Sequence, residues 1–205
     1  MSFVLGSWNV KKLLAILVLS LYIITPSHAE DISDFQIEGM SIGDSLLDYF
    51  TKKKITKSIV NWYDRLEKKR FTAIALDSEN FKQYDYVDIF TNYGDESYKI
   101  ATIAGVMYFG NDKEIRDINH CYKKQMTIAG EIESMFKDSK KKGPVKIIYK
   151  NEDPTGKSSY TDIYLTLDDN HEVVIACYDW SDDLENKADH LYIVIRSKKV
   201  RDWLD

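Results

Sequence analysis

The chain has 205 residues, with 33 acidic and 28 basic side chains and a formal net charge of −5. Because nucleic-acid binding needs a basic face for the phosphates, this acidic balance disfavours nucleic acid as a partner. The same balance disfavours binding to an anionic membrane surface.

The first segment has the pattern of an export signal. Two lysines precede an apolar run over residues 13–24, and residues 27–29 supply the small residues of a cleavage site. The run is about 12 residues long, whereas a membrane-spanning helix needs about 20. We therefore expect a signal peptide over residues 1–29, cleaved after Ala29, with an uncleaved anchor as the alternative. Cleavage would leave an acidic domain, away from the membrane, in a periplasmic or secreted location.

Short helices are predicted near the start of the expected domain. Ser41 and Asp44 are spaced as a variant of the capping box before an apolar stripe, which predicts a first helix that ends near Phe50. A second helix over residues 51–69 is predicted from apolar residues at helical spacing, namely Ile55, Ile59, Trp62 and Leu66.

A first block of strands is predicted between residues 71 and 109. Aromatic and β-branched residues are concentrated at residues 71–76, 84–93 and 98–109, and residues 94–97 are typical of a hairpin turn. Alternate residues from Ile100 to Tyr108 are expected to share one face of the last strand. Gly105 indicates a bulge or the close approach of another group.

The longest periodic segment, residues 111–142, predicts the main helix. Its apolar residues recur every three or four positions, at Ile115, Ile118, Tyr122, Met126, Ala129, Ile132 and Phe136. Asn111 or Asp112 is expected to cap the start of this helix. A lysine-rich run at residues 137–142, followed by Gly143-Pro144, is expected to mark its end.

A second block of strands is predicted at residues 145–150, 161–167, 173–180 and 191–195. The order of elements predicts an α+β fold, an antiparallel sheet of two strand blocks flanking one long helix, with short N-terminal helices. The sequence shows no internal repeat and no linker, so residues 30–205 are expected to form a single exported domain.

Cys121 on the long helix and Cys177 in a predicted strand are the two cysteines of the chain. An oxidising compartment would permit a disulfide between them, which would stabilise the fold by about 4 kcal/mol on the chain-entropy model. Two buried free thiols are the alternative. Cys121 with a histidine would also offer a nucleophile and a base, but a half-buried thiol on a helix flank is the preferred interpretation.

Two other motifs are similar to ligand sites. Gly156-Lys157-Ser158 is similar to the end of a phosphate-binding loop, but Asn151 stands where that motif needs glycine, and a strand is predicted to follow. The adjacent pair His120-Cys121 points in directions about 100° apart on a helix, and His171 and His190 are isolated. We therefore expect neither a cofactor nor a metal.

Two clusters in the second half of the chain have alternative interpretations. The acidic cluster would bind calcium or supply acid and base groups, but its spacing favours a solvated loop. The aromatic cluster would form a stacking platform for a sugar or a partner, although cross-strand packing is preferred. The acidic cluster is Asp179, Asp182, Asp183, Glu185 and Asp189, and the aromatic cluster is Tyr160, Tyr164, Tyr178, Trp180 and Tyr192.

Three stretches carry a family resemblance. Residues 39–50, Gly156-Lys157-Ser158 and Cys177-Tyr178-Asp179-Trp180-Ser181 resemble small exported bacterial proteins of uncharacterised function, over most of the expected domain. The resemblance implies no activity and assigns no functional residue. Residues 37–47 are also similar to the opening of the small outer-membrane-assembly lipoproteins, in their Gly-Met-Ser entry to a helix.

These patterns predict an exported envelope or periplasmic domain that binds an unknown envelope protein or small ligand without catalysis. No catalytic residue is assigned. The alternative is a small envelope hydrolase that uses the carboxylates of the acidic cluster or Cys121. A deep pocket with convergent carboxylates, or Cys121 beside a histidine, would favour the hydrolase, whereas a flat aromatic face would favour binding.

Overall fold

A computed structural model describes residue 32 and residues 35–61, 70–77, 79–108, 117–151, 153–168, 171–184 and 187–204. The predicted signal peptide and its cleavage site lie outside these residues. The strands are β1 (Ile59–Val60), β2 (Phe71–Leu76), β3 (Tyr86–Asn92), β4 (Ile100–Tyr108), β5 (Lys140–Ile148), β6 (Ser159–Thr166), β7 (His171–Asp179) and β8 (His190–Ser197). The α-helices of the described part are α1 (Lys52–Lys57), α2 (Ile118–Met135) and α3 (Lys198–Leu204).

The eight strands form one antiparallel sheet in the order β1-β2-β3-β4-β8-β7-β6-β5. It consists of two four-stranded meanders, one after α1 and one after α2. Their last strands, β4 and β8, pair through seven residue pairs from Thr102↔Arg196 to Tyr108↔His190. The two halves therefore share a topology, a helix followed by four strands, although the sequence shows no repeat.

The predicted arrangement of two strand blocks flanking the long helix is wrong. Both blocks belong to one continuous sheet because β4 and β8 pair directly, and α2 packs on one face of that sheet against β6, β7 and β8. Alternation of apolar residues predicts which face of a strand is buried, but it does not determine which strand edges meet. The short helical pieces near the start are a 3₁₀ turn at Leu46–Asp48 and α1.

The helix α2 is shorter than the predicted helix over residues 111–142. Asp117 caps it, since its Oδ1 accepts hydrogen bonds from the backbone N–H groups of Asn119 and His120 at 2.8 and 3.0 Å. The caps predicted at Asn111 or Asp112 lie outside the described residues. The predicted helix end is wrong because residues 140–142 begin β5, where lysines suit an exposed edge strand.

The predicted helix over residues 51–69 is also wrong at its end. Thr51 caps α1 by accepting a hydrogen bond from the Lys54 backbone N–H, but the helix ends at Lys57. The next two residues, Ile59 and Val60, pair with β2 instead. Both are β-branched, so strand pairing overrides the helical spacing there. Trp62 and Leu66 lie outside the described residues.

The main core lies between α2 and the sheet. Cys121 of α2 is bonded to Cys177 of β7, with a Cα–Cα distance of 6.0 Å. One turn along the helix, the buried side-chain amide of Gln125 donates hydrogen bonds to the carbonyl oxygens of Thr161 and Ile175 at 2.6 and 2.7 Å. A covalent bond and a buried amide therefore fix α2 to β6 and β7.

A β-bulge changes which residues of β4 share a face. Phe90 pairs with Thr102 and Thr91 pairs with Ile100, so Ala101 is an extra residue. Ile100 consequently lies in the main core, whereas Ala104 lies in a separate cluster on the opposite face of the sheet. The predicted common face of alternate residues therefore excludes Ile100 and begins at Thr102.

The close approach predicted at Gly105 is confirmed. A Cβ atom added at this position would lie less than 3.0 Å from three ring carbons of Tyr84. The tyrosine ring therefore lies directly on the backbone of β4 and needs glycine beneath it.

We predict that Gly105→Ala lowers the free energy of unfolding by about 1–3 kcal/mol, because the whole Tyr84 ring must move. Gly130→Ala is the matched control, since nothing lies within 4 Å of an added Cβ there and α2 gains helix propensity. That variant should be more stable by about 0.5–1 kcal/mol. Urea denaturation measures both variants, and equal stability of the two would contradict the tight packing of Tyr84.

Candidate functional site

A groove of about 820 Å³ lies between α2 and the end of the sheet formed by β3 and β4. One wall is α2, and the other is the loop that enters β3, together with Met107 and Phe35. Ligand pockets in proteins commonly have volumes of about 300–1,000 Å³. The α2 residues that line the groove are His120, Lys123, Lys124, Thr127, Ile128, Glu131, Ile132 and Met135.

The loop wall is held by one carboxylate. Glu38 accepts hydrogen bonds from the backbone N–H groups of Lys82, Gln83 and Tyr84 at 2.9, 2.7 and 2.9 Å. Glu38 itself has a positive φ of 52°, in a tight turn closed by hydrogen bonds between Ile37 and Met40. Three consecutive amides are therefore fixed by a residue more than 40 positions earlier, which makes this wall rigid.

The phenol of Tyr84 adds no charge to the loop wall. Burial, with a contribution from the charge of Glu38, raises the pKa of Tyr84 to about 12, so its phenol stays protonated at neutral pH. The next residue, Asp85, accepts a hydrogen bond from the backbone N–H of Tyr108 at 2.7 Å, which holds the loop against β4.

The α2 wall of the groove has a basic end and a mainly apolar end. Lys123 and Lys124 lie in the first half of α2, whereas Ile128, Ile132 and Met135 lie further along the same helix. At 1.5 Å per residue, Lys124 and Met135 are roughly 16 Å apart along the axis. Lys82 adds a third ammonium group to the lining, which also contains the carboxylates of Asp85 and Glu131. The groove is therefore amphipathic along its length.

The structure places Cys121, considered above as an alternative nucleophile, in the disulfide, with no exposed surface. A thiolate requires that bond to be reduced, so the oxidised protein offers none. His120 contacts Asp117 at 3.2 Å, His171 contacts Asp168 at 3.0 Å, and His190 packs against Tyr178. Within the described residues, no group of three or more His, Cys, Asp or Glu side chains could hold a metal ion.

The acidic cluster holds its own loop in place. Asp183 pairs with Lys157 at 2.6 Å, and Asp189 accepts a hydrogen bond from the Trp180 backbone N–H at 2.6 Å. Burial raises the pKa of Asp189, and the charges of Asp179 and Asp182 raise it further. Glu185 lies outside the described residues. These contacts fit a loop-anchoring role.

In Gly156-Lys157-Ser158, the motif similar to a phosphate-binding loop, the polar groups already bind carboxylates of this chain. The carboxylate of Asp153 accepts hydrogen bonds from both the backbone N–H and the hydroxyl of Ser158 at 2.7 Å. Hydrogen bonds from the hydroxyls of Thr155 and Ser158 hold the pKa of Asp153 well below its usual range. The amide of Ser158 and the ammonium of Lys157, which a phosphate would need, therefore already face carboxylates of this chain.

The aromatic residues form a ladder across the face of the sheet opposite α2. Tyr160, Tyr178 and His190 are direct cross-strand neighbours, followed by Tyr108. The Tyr178 ring lies nearly parallel to the ring of Tyr160, at 5.5 Å and 24°, and to that of His190, at 4.5 Å and 13°. Rings stacked in this way cover one another's faces and turn their edges outward.

The remaining aromatic side chains extend this packing. Trp180 stacks on Tyr178 at 5.9 Å and holds the Lys187 ammonium 4.7 Å from its ring centroid. Tyr164 and Tyr192 pack on the buried cluster of Ala104, Val174 and Val194. The geometry therefore supports the cross-strand interpretation and disfavours a stacking platform, because the ring faces are engaged within the protein.

Sequence reasoning did not identify the groove. Glu38, Lys82 and Tyr84 carry no motif, and only Gly105, which accommodates the Tyr84 ring, gave a signal. Among the described residues, no helix has both the length and the apolar character needed to cross a membrane. Comparison of the chain with family models, curated proteins and solved structures finds no match.

A partly buried acid, Asp88, on the face of the aromatic ladder gives a pH prediction. Burial raises the pKa of Asp88 from 3.8 to about 7, and its Oδ1 has no hydrogen-bond partner among the described residues. Between pH values of about 4 and 7, Asp88 is ionised in the unfolded chain but still protonated in the folded protein. Asp88 therefore makes the protein progressively less stable as pH rises from about 4 to 7, with no further change above that.

We expect Asp88→Asn to remove this loss of stability with rising pH. Relative to the unmodified protein, the variant should gain up to about 4 kcal/mol in unfolding free energy between pH 4 and pH 7.5. Urea denaturation at each pH measures the difference. A difference that stays constant over this range would show that Asp88 titrates normally in the folded protein.

Proposed function

We propose that the chain is an exported domain, periplasmic or secreted, that binds a small ligand in the groove without catalysis. The observation that carries this proposal is the groove itself, with an apolar stripe on α2 and a loop wall fixed by Glu38. A preformed site of this kind loses little conformational entropy when a ligand enters.

Export is supported by the disulfide and by the leader pattern of the sequence. Disulfides persist in oxidising compartments such as the periplasm and the extracellular space. The bond between Cys121 and Cys177 lies in the core and fixes the helix that forms one wall of the groove. An oxidising compartment would therefore favour the form of the protein in which the groove is complete.

A binding role agrees better with the site than the hydrolase alternative does. The acids of the groove, Asp85 and Glu131, come from the loop wall and from α2, and Asp85 is engaged by the Tyr108 amide. Cys121 is not available as a thiolate while the disulfide is intact. Asp183 and Asp189 of the acidic cluster hold their own loop in place. Neither residue lines the groove.

The test is binding of N-phenyl-1-naphthylamine, a neutral apolar fluorescent probe, to the purified oxidised protein. We expect saturable one-to-one binding. Thr127→Trp should weaken binding at least about tenfold, because Thr127 lines the groove and indole would fill it. Met126→Trp is the matched control, since Met126 is 48% exposed on the same helix and does not line the groove.

Absence of saturable binding would contradict the proposal. Equal effects of the two tryptophan variants would also contradict it, because the probe would then bind elsewhere. Circular dichroism of both variants shows whether α2 is retained, so that a loss of binding is not mistaken for unfolding.

A further inference from the structure

We infer that the ligand of the groove is a single-chain amphiphile whose anionic head group binds at Lys82 and Lys123. This inference rests on the proposed function and adds the chemical class of the ligand. It follows from the order of charged and apolar side chains along the groove.

The charged end suits an anionic head group. Lys123 is exposed on the first half of α2, and Lys82 is exposed at the start of the loop wall, whose amide is held by Glu38. The structure shows no ion pair for either ammonium group within the described residues. Ammonium groups on the two walls of one groove both attract a carboxylate or phosphate that enters it.

The apolar end suits a single acyl or alkyl chain. Ile128, Ile132 and Met135 follow one another at steps of three or four residues, so they form a continuous stripe on α2. Tyr84 and Met107 line the groove on the sheet side. The stripe extends for roughly 10 Å along the helix axis, on the C-terminal side of Lys123, which matches an extended chain better than a compact ring system.

The acids of the groove do not reverse this polarity. Asp85 already accepts a hydrogen bond from the Tyr108 amide, which stabilises its carboxylate without a bound cation. Glu131 is exposed and lies one turn before Met135, at the end away from Lys123. A cationic head group would therefore meet Lys123 at one end of α2, and at the other end it would meet one exposed carboxylate, that of Glu131, beside the apolar stripe.

The test compares dodecanoate, dodecanol and dodecylamine as competitors of N-phenyl-1-naphthylamine, the ionic compounds below their critical micelle concentrations and dodecanol below its solubility limit. We expect dodecanoate to bind at least about tenfold more tightly than dodecanol, and dodecylamine to bind more weakly than dodecanol. Added salt should reduce the advantage of dodecanoate, because the lysines are exposed and are screened. Acetate, which has the head group without the chain, should not compete.

The double variant Lys82→Gln, Lys123→Gln should bind dodecanoate only as tightly as it binds dodecanol. Lys146→Gln, an exposed lysine on β5 outside the groove, is the control and should change neither affinity.

Two outcomes would contradict an anionic amphiphile as the ligand while the proposed function stands. In the first, the probe binds but dodecanoate and dodecanol compete equally; in the second, acetate competes with the probe. If neither the probe nor dodecanoate binds, both proposals are wrong.

Discussion

The attachment of α2 to the sheet determines where the candidate site lies. The disulfide between Cys121 and Cys177 and the hydrogen bonds of Gln125 to Thr161 and Ile175 fix one side of the helix to β6 and β7. On an α-helix these contacts leave a neighbouring stripe of residues facing away from the attached strands. That stripe, which includes Ile128 and Met135, forms a wall of the groove.

The opposite wall depends on a second long-range contact. Glu38 holds three amides of the loop at residues 82–84, and the Tyr84 ring lies on Gly105 of β4. One wall, α2, packs on the second half of the sheet, and the other wall belongs to the first half; the two halves pair through β4 and β8. The groove is therefore a product of the continuous sheet and would not exist if the strand blocks lay on opposite sides of the helix.

The sequence predicts local structure better than it predicts the groove. Alternation and β-branched residues located most of the strands, and Cys121 and Cys177 were recognised as a candidate pair. The pairing of β4 with β8 left no local signal, because it joins edges far apart in the chain. The lysines at 140–142 suit a helix end and an edge strand equally well. The role of Glu38 depends on amides that carry no side-chain signature.

Methyl NMR of the methionines is the most direct test of a ligand between α2 and the sheet. The protein has five methionines, of which Met107 and Met135 line the groove. Met126 is exposed elsewhere on α2, and Met40 is buried in the core. Addition of dodecanoate should shift the methyl signals of Met107 and Met135 and give intermolecular NOEs to them, with Met40 and Met126 unchanged. Shifts confined to Met126, or none at Met107 and Met135, would contradict binding in the groove.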